Sequence, residues 1–274
     1  MIAIVTDSTS YLTKKEAKDL GVTLAPITYT VAGRIYNETY ADANGNFEKL
    51  IAQNYAHCQT SHTNIAVFMS SFEALLRQNK DILCITISSR LSGNYSSAAI
   101  AAREMKSDRI VIVDSLTTAA GLHFLVERAR ELANAGLSIH EIAGQLEQMR
   151  NKISIAFSVD DMEPLRRSVR LGLVRQSIST ILNIKPLLIC QDGAIVSDGI
   201  VRGKMEQIRS LVKKVPTTAC RITVQYIGDQ QIARSVKDAL AKSFPTEQIE
   251  LRQAGPVLQI HLGLGAVGVA WLED

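Results

Sequence analysis

Four clusters of hydroxyl-bearing residues are the places where this sequence could do chemistry. Thr6-Asp7-Ser8-Thr9-Ser10 follows the first apolar run, and Thr60-Ser61-His62-Thr63 precedes a helical pattern. Ser88-Ser89-Arg90-Leu91-Ser92-Gly93 and Asp114-Ser115 each follow a further apolar run. Uncharged hydroxyls beside helix N-terminal N–H groups make a cradle for an anion or a carboxylate. Taken singly, each cluster reads equally as an N-cap or a turn, because Ser, Thr and Asp bond readily to nearby backbone. Their recurrence at strand ends points to a ligand, since open α/β sheets collect ligands at the carboxyl ends of their strands.

Among the five histidines, His57, His123 and His140 read as surface or helix-face residues. His261 lies in a strand-like run just before glycines, and His62 is flanked by two threonines and a serine. Sharper motifs fail on context. Gly263-Leu264-Gly265-Ala266-Val267-Gly268 matches a dinucleotide fingerprint, but too few residues follow for its helix and acidic partner. His140-Glu141 lacks a second histidine at zinc-protease spacing, with Gly144 in its place, and neither a P-loop nor a nucleophile elbow is present. Cys58, Cys84, Cys190 and Cys220 are scattered, without metal or redox spacing. No metal, nucleotide or other cofactor is expected.

Thirty basic and twenty-seven acidic side chains leave a net charge of +3, too small to argue for a nucleic-acid binder. Basic residues do concentrate between Arg166 and Arg221, which reads as a solvated face or a docking surface for an acidic partner. The uncharged stretch Gln253 to Leu272 holds four glycines, Pro256 and His261 and is too polar to span a membrane. Met1 runs straight into a strand-like segment with no secretory leader pattern, so the expected location is cytoplasmic.

These residues need elements to position them. Ile2 to Val5, Ile82 to Ile87 and Ile110 to Val113 are continuous apolar runs, as in strands buried on both faces. Helical spacing covers Asn64 to Gln78, Asn94 to Lys106 and Thr117 to Ala135, the last ending at Gly136. Ser138 with Glu141 forms a capping box for the next helix. Such alternation predicts a mostly parallel sheet flanked by helices over residues 1–150. Beyond it, strands are predicted at Ile153 to Val159, Ile184 to Ile189, Ala194 to Val201, Arg221 to Ile227, Ile249 to Arg252, Val257 to Leu262 and Val267 to Trp271. Helices are predicted at Asp161 to Ser168, Val174 to Ile181, Lys204 to Val215 and Gln230 to Ser243. The turn Gln191-Asp192-Gly193 joins two strands directly, so residues 151–274 read as a second α/β domain with a mixed sheet. The fold class is two-domain α/β, with a ligand cleft between the domains.

In this order the motifs resemble those of the DegV family. The resemblance runs through Thr6-Asp7-Ser8-Thr9-Ser10, Thr60-Ser61, Leu91-Ser92-Gly93-Asn94-Tyr95-Ser96-Ser97-Ala98 and Asp114-Ser115. It continues through Lys185-Pro186-Leu187-Leu188, Asp192-Gly193, Arg202, Gly255-Pro256 and His261-Leu262-Gly263-Leu264-Gly265. It implies a non-catalytic protein that holds one long-chain fatty acid in a tunnel between two domains. It also implies presentation of the carboxylate to a separate ATP-dependent kinase subunit for acyl-phosphate formation. By the same resemblance Thr60, Ser92 and His261 bind the carboxylate. Ser61, His62, Ser8, Ser89 and Asp114 form the supporting polar network, and Arg170 and Arg202 dock the partner. The sequence departs from the family at His62-Thr63, at Ser168-Val169 and at Leu264. The competing reading is a small-molecule phosphotransferase or hydrolase using the rim of Asp7, Ser8, Ser92 and Asp114.

Overall fold

The computed structural model describes residues 1–167 and 184–274. The continuous apolar runs become the centre of a parallel sheet. Strands β1 (Ile2–Asp7), β2 (Val22–Ala25), β6 (Asp81–Thr86) and β7 (Ile110–Asp114) lie in the order β2-β1-β6-β7. Helices α1 (Lys14–Asp19), α3 (Ile65–Arg77), α4 (Asn94–Met105), α5 (Ala119–Asn134) and α6 (Ile139–Met149) flank it. Between β2 and α3 the chain builds a small antiparallel sheet, unforeseen in the sequence. It consists of β3 (Ile27–Val31), β4 (Arg34–Glu38) and β5 (Cys58–Ser61), with α2 (Phe47–Gln53) beside it.

The second sheet uses β8 (Ile153–Ser158), β9 (Ile184–Gln191), β10 (Ala194–Arg202), β11 (Ala219–Tyr226), β12 (Ile249–Gln253) and β13 (Val267–Glu273). Their order is β10-β9-β8-β13-β11-β12, and only the β11/β12 pair is parallel. The hairpin at Asp192-Gly193 forms as expected, with both residues at positive φ. Helices α7 (Glu163–Arg167), α8 (Gly203–Lys214), α9 (Gln231–Leu240) and α10 (Pro256–Leu262) complete the described elements. The fold is therefore mixed α/β, with one parallel and one mixed sheet.

Helix α5 joins the two sheets. Leu122, Leu125, Val126 and Ala129 pack with Ile4 and Leu83 of the parallel sheet, whereas Ala119, Ala120 and Phe124 pack with Ile155 and Phe157 of the mixed sheet. A helix apolar on nearly every side is buried on nearly every side. This corrects the expectation for His123, which is buried rather than superficial, with Nδ1 3.1 Å from the Ser10 carbonyl. Two ion pairs add polar ties across the same junction, Glu16 with Arg252 and Glu127 with Arg221.

One other expectation changes. The segment Val257 to Leu262 is helix rather than strand. Pro256 sits at its first position, the Val257 N–H donates to Glu38 at 2.9 Å, and Gly263 ends it at φ 76°. Within the basic stretch, Lys185 pairs with Asp160, Lys214 with Asp198, Arg209 with Glu206 and Arg221 with Glu127. Arg170, Arg175, the Ser168-Val169 departure and the helix expected at Val174 to Ile181 lie outside the described residues.

Candidate functional site

A cavity of about 1030 Å³, mouth included, lies between the parallel-sheet loops and the mixed sheet. Its walls are mainly aliphatic and aromatic, with Leu91 and Ala119 from one side and Ile155, Phe157, Ile195 and Ala270 from the other. Polar residues also line it, among them Thr60, Ser61, His62, Ser92 and His261.

Each is placed by a local cause. Thr60 lies on β5, in register with Tyr29 of β3. The chain then turns at Thr63, whose N–H donates to Asn94 Oδ1 at 2.8 Å and whose hydroxyl donates to the Pro26 carbonyl at 2.8 Å. Asn94 opens α4 directly after Ser92-Gly93, so this one buried amide ties the Thr60 strand to the Ser92 turn. The imidazole of His62 stands over Gly93, close enough that a Cβ there would lie 3.1 Å from the ring. Ser92 itself is held by its N–H bond to the Ser88 carbonyl at 3.1 Å.

His261 approaches from the far end of the sequence. Helix α10 is pinned to the small sheet by Tyr55, whose hydroxyl donates to the Ile260 carbonyl at 3.0 Å, and by Gln259, whose amide donates to the Glu48 carbonyl at 3.0 Å. Its first turn is held by Glu38, which also accepts from the Ser8 hydroxyl at 2.7 Å. Burial pushes the Glu38 carboxyl up to about 7; the Ser8 and Val257 hydrogen bonds oppose the shift, and the negative charge of Asp7 adds to it. So positioned, His261 Nε2 meets Thr60 Oγ1 at 2.8 Å.

Chemically, this arrangement offers neutral donors at the mouth of an oily channel. When Nε2 carries the imidazole proton, Thr60 accepts it and its own O–H is released to donate to a ligand oxygen. Thr60 and His261 also wall an outer cleft shared with Tyr55, Gln59, Pro164 and Arg167. They therefore stand between the channel and that cleft. Arg167 stacks over the Tyr55 ring at 5.7 Å and donates to the Ala56 carbonyl at 3.2 Å.

The structure separates the remaining expected residues from the cavity. Ser8 is buried against Glu38, and Ser89 and Asp114 bond to each other, the Ser89 N–H donating at 3.1 Å. None of these three lines the cavity, so they support loops rather than touch its contents. Arg202 is exposed at the end of β10. The rim expected for a phosphotransferase also loses one of its two acids, because Asp7 is fully buried. It accepts from Thr9 and from the Ile87 N–H at 2.7 Å, and burial pushes its carboxyl up. Among the described residues no group of side chains is arranged to hold a metal ion, and no helix is long and apolar enough to cross a membrane. Sequence reasoning missed Glu38, Tyr55, Asn94 and Gln259; only Asn94 sat inside a motif that was singled out.

The comparisons with known proteins bear on the family and the fold. The family described as "Uncharacterised protein, DegV family" matches residues 1–274. A DegV domain-containing protein of Deinococcus radiodurans is 32% identical, covering 98% of this chain and 97% of that one. The solved structure described as "Fatty Acid Binding of a DegV family Protein from Thermus thermophilus" is 28% identical. It superimposes with a TM-score of 0.85 over 100% of this chain and 99% of its own. The Streptococcus pneumoniae Fatty Acid Kinase (Fak) B3 protein, solved loaded with linoleic acid, shares the fold at a TM-score of 0.84 and 19% identity, over 100% of both chains. With a match along its whole length, the chain belongs to the DegV family.

Proposed function

We propose that this protein binds one long-chain fatty acid, holding the acyl chain in the cavity and the carboxylate at Thr60, Ser92 and His261. The carrying observation is the apolar cavity closed by the Thr60–His261 pair, with Ser92 beside it. The Thermus thermophilus relative, described as fatty-acid binding, supports the same ligand class. Affinity comes from the tail. Burying roughly 14 methylenes at about 0.8 kcal/mol each contributes on the order of 11 kcal/mol before entropy losses. Hydrogen bonds of about 1 kcal/mol each orient the head group instead of supplying most of the affinity. Neutral donors suit this task, because a cation buried beside the acyl chain would cost several kcal/mol to desolvate.

In this reading the chain is a carrier with no catalytic group of its own. It divides near residue 150 into two domains that enclose the ligand, and it presents the carboxylate through the outer cleft to a separate ATP-dependent kinase. The kinship of fold with the Streptococcus pneumoniae Fak B3 protein supports that partnership, and the exposed Arg202 is assigned to its docking surface. Protein purified from cells and then denatured is expected to release one equivalent of fatty acid, read by mass spectrometry. Protein that refuses fatty acid both as purified and after delipidation would overturn the reading.

A further inference from the structure

We propose that Thr118 and Gln225 form a second polar subsite in the cavity, one that selects a fatty acid carrying a hydroxyl or keto oxygen on its chain. The inference rests on the fatty-acid reading of the cavity and deepens it. Both residues line the cavity, at 7% and 9% exposure. Each leaves a buried polar atom without a hydrogen-bond partner, Oγ1 of Thr118 and Nε2 of Gln225.

The two sit together at the start of α5. Thr118 occupies the position before the helix, where a threonine hydroxyl ordinarily caps a backbone N–H, yet it makes no such bond. Two residues on, the Ala120 N–H donates to Gln225 Oε1 at 2.9 Å. That bond orients the amide: with Oε1 engaged, the outstanding atom is Nε2, which can only donate. Between them Ala119 lies at φ 54°, in the left-handed region that favours glycine. Strained backbone beside orphaned polar groups marks a place organised for something other than packing.

A plain hydrocarbon chain cannot serve these atoms, and the other cavity residues of the sheet that carries Gln225, Ile155, Phe157 and Ile195 among them, are apolar. An oxygen on the chain can. It accepts from Gln225 Nε2, and it either donates to Thr118 Oγ1 as a hydroxyl or accepts from the Thr118 O–H as a ketone. Buried orphan donors and acceptors discriminate strongly because a ligand lacking the matching atom leaves them unpaired.

The test measures dissociation constants of delipidated full-length protein for stearic acid and for hydroxystearic and oxostearic acids with the oxygen moved along the chain. We expect one oxygen position to bind about tenfold tighter than stearic acid. In Thr118→Val and Gln225→Met that preference should fall to near unity while stearic acid binds at least as well as before. Thr118→Val changes no backbone partner, so it keeps the test decisive if Gln225→Met fails to fold. Equal binding of stearic acid and every oxygenated acid overturns the subsite and leaves the fatty-acid reading standing. A preference that survives Thr118→Val also overturns it. Failure to bind any of these acids overturns both.

Discussion

Thr60 and His261 lie 201 residues apart and meet at 2.8 Å, hydroxyl against imidazole, where the apolar cavity opens. One partner comes from the edge of a three-stranded sheet and the other from a seven-residue helix in the second half of the chain. Their meeting depends on how Glu38, Tyr55 and Gln259 seat that helix, so the pair is sensitive to residues that never touch it.

Removing the head-group hydroxyls should separate holding from presenting. Thr60→Val combined with Ser92→Ala is expected to weaken fatty-acid binding by about thirtyfold or less, since the two bonds contribute about 1 kcal/mol each. Acyl-phosphate formation with a cognate kinase should fall about a hundredfold, because a misplaced carboxylate misses the attacking geometry. Parallel binding and turnover assays check this; unchanged turnover would refute the assignment.

Glu38 should make stability depend on pH. Its folded value of about 7 stands above the ordinary 4.5, so between those limits the native state holds the proton that the unfolded chain has lost. Stability contributed by this group is full below pH 4.5 and declines as pH rises through 7, by about 3 kcal/mol in all. Glu38→Gln, which retains an oxygen acceptor for the Val257 N–H, is expected to flatten that decline. Urea unfolding at pH 5 and pH 8 measures both slopes.

Two glycines near the site should respond unequally to alanine. At Gly255 a Cβ would lie 2.6 Å from Glu38 Oε1 and 2.7 Å from the Tyr11 ring, both fully buried. Gly255→Ala should therefore cost about 1–3 kcal/mol and displace α10. At Gly93 the nearest atoms belong to His62, an exposed side chain able to move away. Gly93→Ala should cost well under about 1 kcal/mol. Thermal melts rank the pair, and equal losses would count against the packing argument.

Filling the cavity should act on chain length. Ala270 is buried on β13 and lines the wall. Ala270→Phe is expected to exclude three or four methylenes, and with them about 3 kcal/mol of burial, so stearic acid should bind about a hundredfold more weakly. Shorter acids, which never reach the filled region, should bind nearly as before. Titration with acids of graded length reads the difference, and a uniform loss across all lengths would contradict it.

Much of the frame was legible because local signals carried it. β1, β6 and β7 are buried on both faces, and their unbroken Ile/Val/Leu runs say so. Ser138 and Glu141 form their capping box within three residues of each other, and Asp192-Gly193 marks its own turn. The small sheet of β3, β4 and β5 was not legible. Its strands are short, and exposed Arg34 and Ile35 interrupt the alternation on the edge strand. Helix α10 was misread for a related reason. Val257-Leu258-Gln259-Ile260-His261-Leu262 has no one-sided periodicity, and the acceptor that caps its first turn, Glu38, lies 219 residues away.

The sequence alone determined the strand–helix alternation, the hydroxyl-rich loops and the family pattern, all written in short-range spacing that needs no distant partner. Only the tertiary structure decided which of those hydroxyl-bearing residues line the cavity. Ser8 comes from the same kind of hydroxyl-rich loop as Ser92, yet its hydroxyl donates to Glu38, and Ser89 and Asp114 stand outside the cavity lining, where the Ser89 N–H donates to Asp114. Which polar groups stay available depends on packing between segments far apart in the chain. That packing is set by the burial of α5 between two sheets and by the docking of α10 on the third.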